Sequence, residues 1–289
     1  MTPRIRAIAS LWVVVLVWGS TFIITKSVLE DIAPITLAGL RFFIATAVLV
    51  PLAMGRGGLA KLPRPLPVGR LVLMALTGFA IYYAGFNYAL LFTSASQGAL
   101  IQALGPAAIA LAAVVFLKEK PSRRRIYGIA LSICGVALVI TAAKGTSAAP
   151  NPLAGGIFMV AAMLSWAFYT ILAKGLAGAD QFVVTACVSA LGTAMLLPLA
   201  ALELAFQPWP ALSGSGWLSI GYLGIVASAG GFYVYNRALR ELDASAVGVY
   251  INLIPVVGVL TAVIFLGETL QPLQTLGGAI TLLGIWLAS

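Results

Sequence analysis

The chain has no histidine, only eight acidic residues and only two cysteines in 289 positions, and each scarcity removes a class of chemistry. Without histidine there is no side chain poised to exchange protons near neutral pH and no imidazole to hold a metal. Cys134 and Cys187 stand alone in apolar stretches, which excludes a disulfide framework and a Cys/His metal site and makes both packing residues. No acid falls near the middle of an apolar run: Glu119, Glu203 and Glu268 lie at run ends, and the others lie between runs. A proton relay through buried carboxylates has no evident carrier, and a membrane-embedded hydrolase lacks both a nucleophile with its base and a pair of acids. No nucleotide-binding loop is present. Only 9% of residues are charged against 61% hydrophobic, and the mean hydropathy is +1.06, the composition of a membrane protein.

What is present is a series of apolar runs near the 20 or so residues a spanning helix needs. They fall at 7–29, 34–54, 70–92, 96–117, 124–143, 153–173, 181–202, 215–236, 244–266 and 272–288. The first continues through Trp18 to Thr25 with no cleavage site, so it reads as a span and not as a signal peptide. A net charge of +9 raises nucleic acid as a partner, but the basic residues form no stripe with interleaved aromatics. They follow membrane topology instead. All of the 17 Lys and Arg except Lys26, Arg41 and Lys144 fall at one end of the runs, which predicts a multi-pass protein with both termini cytoplasmic, as in a bacterial inner membrane.

"NYALLFTSAS" (87–96) returns as "NRALRELDAS" (236–245). At the same offset of 149, Asn87 matches Asn236, Pro106 matches Pro255, Glu119 matches Glu268, Gly128 matches Gly277 and Gly135 matches Gly284; one residue less aligns Trp18 with Trp166 and Lys26 with Lys174. The chain therefore reads as two five-helix units, 1–143 and 153–289, joined by a polar linker at 144–152. Five is odd, so the second unit enters the membrane inverted, and equivalent loops face opposite compartments. Their charges swap accordingly: "KEKPSRRR" (118–125) is basic where its counterpart "GETLQPLQ" (267–274) is not. The expected fold is an all-α integral membrane protein of ten transmembrane helices in two inverted repeats, the architecture of alternating-access transporters. A duplicated membrane scaffold that moves nothing is the bland alternative.

"WGSTFIITKSV", then "PITLAGLRF", the fourth run ending in "FLKEKPS", and its repeat "LIPVVGVLTAVIFLGETL" together resemble the drug/metabolite transporter superfamily in its ten-helix EamA branch. The resemblance covers nearly the whole chain and is greatest to YddG-type exporters of aromatic and other amino acids. It implies transport of a small molecule and no enzyme activity. Members also export other metabolites, amphipathic cations and drugs, so the substrate stays open.

Polar and amphipathic side chains in mid-helix are costly in lipid unless they face protein or a water-filled cavity. Trp18 and Trp166 lie mid-span at equivalent repeat positions and suggest cavity walls, with large packing residues as the alternative. Tyr82, Tyr83 and Tyr169, with Gln102, Tyr250 and Asn252 near the two prolines, complete the expected substrate-binding set. Asn87 and Asn236 lie near span ends, where capping or interhelical hydrogen bonding competes with a substrate role. Pro106 and Pro255 interrupt helices at equivalent positions and are the expected hinges or gates. Lys26 and Lys174 are expected to snorkel to the interfaces. Arg41 lies about 10 Å inside its helix by helical rise. It either pairs with Glu30 or Asp31, the preferred reading, or attracts a substrate carboxylate. Gly128, Ser132 and Gly135, with Gly277, Thr281 and Gly284, form two narrow faces that pack against each other or at a homodimer contact.

No cofactor and no metal is expected. The lining is aromatic and amide without acid, which suits a neutral or zwitterionic solute such as an amino acid, aromatic side chains favoured. An amphipathic cation is the alternative. A channel is remote, because the polar groups cluster centrally and no continuous polar face crosses the membrane.

Overall fold

The computed structural model describes residues 3–118, 120–143, 149–176, 178–207, 211–242 and 250–288, without the side chains of Pro3, Arg4, Asn236, Leu239, Arg240 and Glu241. Glu119, Lys144, most of the expected linker, the Asn236 and Arg240 side chains and the final "DAS" of the second motif lie outside the described residues.

The fold is ten transmembrane helices in two inverted five-helix repeats. The first repeat runs α1 (Pro3–Val28), α2 (Pro34–Met54), α3 (Val68–Phe92), α4 (Ala95–Leu117) and α5 (Arg123–Ala142). The second runs α6 (Pro152–Lys174), α7 (Gln181–Phe206), α8 (214–241), α9 (Ile254–Leu266) and α10 (Pro272–Ala288). Eight of these are long and apolar enough to cross a membrane; α9 and α10 are shorter apolar helices among the described residues.

Short polar residues start the helices, as their hydrogen-bonding chemistry requires. The side chains of Ser94, Ser122, Asn151, Asp180 and Ser213 accept from backbone N–H groups one turn on, at Gln97, Arg125, Ala154, Phe182 and Gly216. Pro34 and Pro152 occupy first turns, where a missing N–H costs nothing.

The repeat carries into backbone detail. α4 is broken after Gln102, with Leu104 N donating to Ile101 O at 3.0 Å; the counterpart before α9 has Leu253 N donating to Tyr250 O at 2.9 Å. Pro106 and Pro255 therefore do not kink continuous helices. Each sits in the first turn of a new segment, which begins at Gly105 or Ile254. At the far ends Lys118 and Gly267 both adopt left-handed geometry, φ 54° and 64°, and donate to Ala113 O and Ala262 O. Glycine does this freely, whereas Lys118 carries a cost of about 1–2 kcal/mol.

α3 and α8 share another irregularity. Each contains a π-helical stretch, Leu76–Ile81 and Tyr222–Gly230, at overlapping repeat positions. Side chains of the partner repeat bond to carbonyls of both: Ser165 Oγ donates to Thr77 O at 2.7 Å, and Trp18 Nε1 donates to Ala227 O at 2.8 Å. α6 is thus tied to α3, and α1 to α8.

α5 and α10 close the end of the molecule by packing their small-residue faces together. Ser132 Oγ donates to Thr281 O at 3.3 Å, and the backbones touch at Gly128, Gly135, Gly277 and Gly284. Of the two uses expected for these faces, the contact is with each other. Cys134 is exposed on the outer surface of α5 and Cys187 is half-buried, so packing describes only the second.

Candidate functional site

Between the repeats lies a continuous network of aromatic rings drawn from α1, α2, α3, α6 and α8. Trp166 stacks on Tyr169 at a centroid distance of 4.8 Å and meets Tyr82 at 5.0 Å. Tyr82 meets Tyr83 edge-on at 4.7 Å, Tyr83 meets Phe42 at 4.4 Å, and Phe42 meets Phe79 at 4.9 Å. Phe79 contacts Phe232, which leads to Trp18 at 5.8 Å. Such pairs are worth about 0.5–1.5 kcal/mol each beyond the area they bury, so the walls are stiff.

Five of the expected residues meet here: Trp18, Tyr82, Tyr83, Trp166 and Tyr169. Tyr82 and Tyr83 are buried, whereas Trp18, Trp166 and Tyr169 are half-buried. Two glycines admit these rings. A Cβ at Gly78 would lie 2.3 Å from the Tyr169 ring, and one at Gly231 would lie 2.4 Å from Trp18 Nε1. Gly231 is the repeat counterpart of Tyr82, so Trp166 finds a ring where Trp18 finds a glycine and, beside it, Ala227 O.

The other three expected residues are not joined to the network by a ring contact or a hydrogen bond among the described residues. Gln102 marks the break in α4, and its Oε1 is buried without a hydrogen-bond partner. Asn252 occupies the matching break before α9 and is half-buried. Tyr250 stands apart from the network, edge-on to Trp12 at 5.7 Å.

Arg41 is 4% exposed and does not pair with Glu30 or Asp31. Its Nε donates to Ser228 Oγ at 2.9 Å, and its Cζ lies 4.6 Å from the Tyr83 ring centroid and 5.7 Å from that of Phe42. The preferred expectation failed because α2 turns Arg41 toward α8 and the aromatic network, away from the loop that carries both acids.

The side of the molecule away from the termini carries a polar network. Glu268 accepts from the N–H groups of Ala95 and Ser96, both at 2.8 Å, and from Ser96 Oγ. The Lys26 Nζ donates to Leu90 O at 2.7 Å and Thr93 O at 2.8 Å, capping α3. Thr93 donates to Gln97 Oε1 within the same cluster. Glu203 holds the start of α2 through Thr36 N at 2.7 Å and Thr36 Oγ1 at 2.8 Å, and Asn87 Nδ2 donates to Pro34 O at 2.8 Å, the interhelical role weighed for it above.

Sequence reading missed the Arg41–Ser228 bond, both π-helical stretches and the capping by Glu203 and Glu268. Only the last had a visible signal, an acid at a span end opposite a Ser/Thr helix start.

Ten apolar helices in two inverted repeats around a central aromatic cluster have the architecture of a membrane transporter. The profile of the EamA-like transporter family matches residues 5–141 and again 153–289, and the chain belongs to that family, within the drug/metabolite transporter superfamily. It is 30% identical over 277 residues to an uncharacterized transporter of Archaeoglobus fulgidus, covering 95% of this chain and 94% of that protein. It is 28% identical to a probable terminal-alkyne amino-acid exporter of Streptantibioticus cattleyicolor, covering 98% and 93%. It is 29% identical to a probable amino-acid metabolite efflux pump of Escherichia coli, covering 95% and 91%. A solved crystal structure superposes with a TM-score of 0.64 at 24% identity, covering 98% of this chain and 97% of that one, and shares the fold.

Proposed function

We propose that the chain is a bacterial inner-membrane exporter of amino acids or similar small zwitterionic metabolites, working by alternating access with both termini cytoplasmic. The observation that carries this reading is the aromatic network, to which both repeats contribute and in which Trp18, Trp166 and Tyr169 keep partly open faces. Aromatic faces hold the apolar side chain of a solute, and with no acid of the described residues among these rings an isolated cation has no counter-charge. Relatives named for amino-acid export support the substrate class. With cytoplasmic termini, the face that carries the network around Glu268 and Lys26 is the outer one, and that network is the outer gate. The breaks at Gln102 and Asn252, followed by Pro106 and Pro255, are its hinge positions and their counterparts.

The test is counterflow of labelled amino acids in proteoliposomes of the purified chain with no imposed ion gradient. Exchange of aromatic or large aliphatic amino acids is expected, falling at least tenfold in Trp166→Ala and only a few-fold in Trp166→Phe. Silence across the panel, with a tetraalkylammonium or similar amphipathic cation exchanged instead, would sink the assignment in favour of a drug exporter.

Replacing Pro106 and Pro255 together by alanine is expected to slow exchange several-fold while melting temperature stays within a few degrees. First-turn prolines forgo no hydrogen bond, and alanine lets each helix run through its break. Unchanged turnover would remove the breaks from the mechanism.

A further inference from the structure

We propose that the Arg41 guanidinium is the receptor for a carboxylate on the transported solute, and that it sets the orientation in which the solute binds. This rests on the exporter reading above and gives it a chemical discriminator: an anionic group is required, and an amine alone is not enough.

Arg41 is a buried cation in a membrane-spanning helix, and no carboxylate of the described residues accompanies it. An unpaired charge in a span is expensive to keep, by several kcal/mol. The neighbours it has do not repay that cost; they aim it. Ser228 Oγ fixes Nε at 2.9 Å, and the face of Tyr83 supports the guanidinium plane at 4.6 Å. Both contacts leave the Nη1 and Nη2 edge unused. Neither nitrogen carries a hydrogen bond to a described residue. A planar fork of N–H donors, held at one edge and unbonded at the other, matches the two oxygens of a carboxylate.

The surroundings fit the rest of an amino acid. Tyr83, on which Arg41 lies, touches Tyr82, and Tyr82 touches Trp166. A solute with its carboxylate at Arg41 meets aromatic faces along its apolar part.

The repeat symmetry sharpens the point. The counterpart of Arg41 is Ser189, which is fully buried and shares a hydrogen bond with Thr46 at 2.8 Å. The site thus has one anion anchor in an otherwise duplicated frame. That asymmetry fixes one binding orientation as the halves exchange environments. The anchor is also tied to the moving parts, because Ser228 lies in the π-helical stretch of α8, next to the carbonyl of Ala227 that receives Trp18.

The experiment compares ligands that differ only in the carboxylate, on the purified full-length protein. Binding of phenylalanine, phenylalaninamide and phenylacetate is measured by thermal shift, with leucine and leucinamide as an aliphatic pair, and exchange by counterflow. Wild type is expected to bind each acid at least tenfold more tightly than its amide, with phenylacetate also bound. Arg41→Gln is expected to bring the acid-to-amide ratio close to one, and Arg41→Lys to keep part of it. A merely structural Arg41 would lower both affinities together and leave the ratio intact, which overturns the proposal, as does a wild type that does not prefer the acids. Should Arg41→Gln fail to fold, Ser228→Ala, which releases the fork, is expected to lower the ratio a few-fold. Binding of phenylacetate that depends on Arg41, without exchange of any amino acid, would keep the carboxylate receptor and overturn the amino-acid reading.

Discussion

Gly135→Leu is expected to abolish recovery of folded, monodisperse protein. A Cβ at position 135 alone would lie 2.4 Å from Thr281 Oγ1 and 2.6 Å from both Gly277 O and Thr281 N. Two of those three atoms are backbone, so no side-chain rotation relieves the clash and α5 and α10 have to separate. Overpacking by a few methylenes costs up to about 3 kcal/mol when side chains can yield. Here the whole seam is lost, because Gly128 and Gly284 meet the facing backbone just as closely, at 2.5–2.6 Å. In a bilayer the separated helices gain no compensating solvent, since tight van der Waals packing of small residues is what holds such pairs together. Gly221→Ala is the matched control. Nothing lies within 4 Å of a Cβ there, and the helical backbone, φ −58°, accepts alanine. It is expected to be neutral or stabilising by about 0.5–1 kcal/mol. Size-exclusion profiles and melting temperatures of the two variants decide the matter; a monodisperse Gly135→Leu would show the seam to be dispensable.

The small-residue faces were legible because they answer to a local rule. Gly128, Ser132 and Gly135 repeat as Gly277, Thr281 and Gly284, and spacing alone puts each set on one side of a helix. The helix bounds were legible for a similar reason, since hydropathy and short polar starts such as Ser94 and Asp180 act within a few residues. The five rings that meet in the centre also had a signal, an amphipathic aromatic at mid-span. Tyr250 had the same signal and lies apart, against Trp12, because the residue type says nothing about which neighbour it faces. Arg41 failed for a related reason. Two acids ten and eleven residues away along the chain are near in sequence, but the helix turns its face to Ser228 and Tyr83. The π-helical stretches at Leu76–Ile81 and Tyr222–Gly230 left no mark, because a shift of hydrogen-bond register depends on what packs alongside, here Ser165 and Trp18.

Removing one carboxylate is expected to open the side of the molecule away from the termini. In Glu268→Ala the N–H groups of Ala95 and Ser96 and the Ser96 hydroxyl lose their shared acceptor. Buried donors left without a partner cost about 1–3 kcal/mol each while that side stays closed, and water satisfies them once it opens. A net bias of about 2–4 kcal/mol moves the closed-to-open ratio by roughly 30- to 900-fold. Lys26 does not substitute for the lost group, since it is a donor already spent on Leu90 O and Thr93 O. Thr25 supplies the reporter: it is fully buried, with an unpartnered hydroxyl, one turn from Phe22, whose ring lies against Gly98 and Gly258. A cysteine at position 25, in a background with Cys134 and Cys187 replaced by alanine, is expected to resist a membrane-impermeant maleimide when Glu268 is present and to react at least tenfold faster in Glu268→Ala. Counterflow should fall in the same variant, because a carrier that rests open on one side exchanges less often. Equal labelling rates with and without Glu268 would mean that the apolar contacts of Phe22 with Gly98 and Gly258 hold that side closed without the carboxylate.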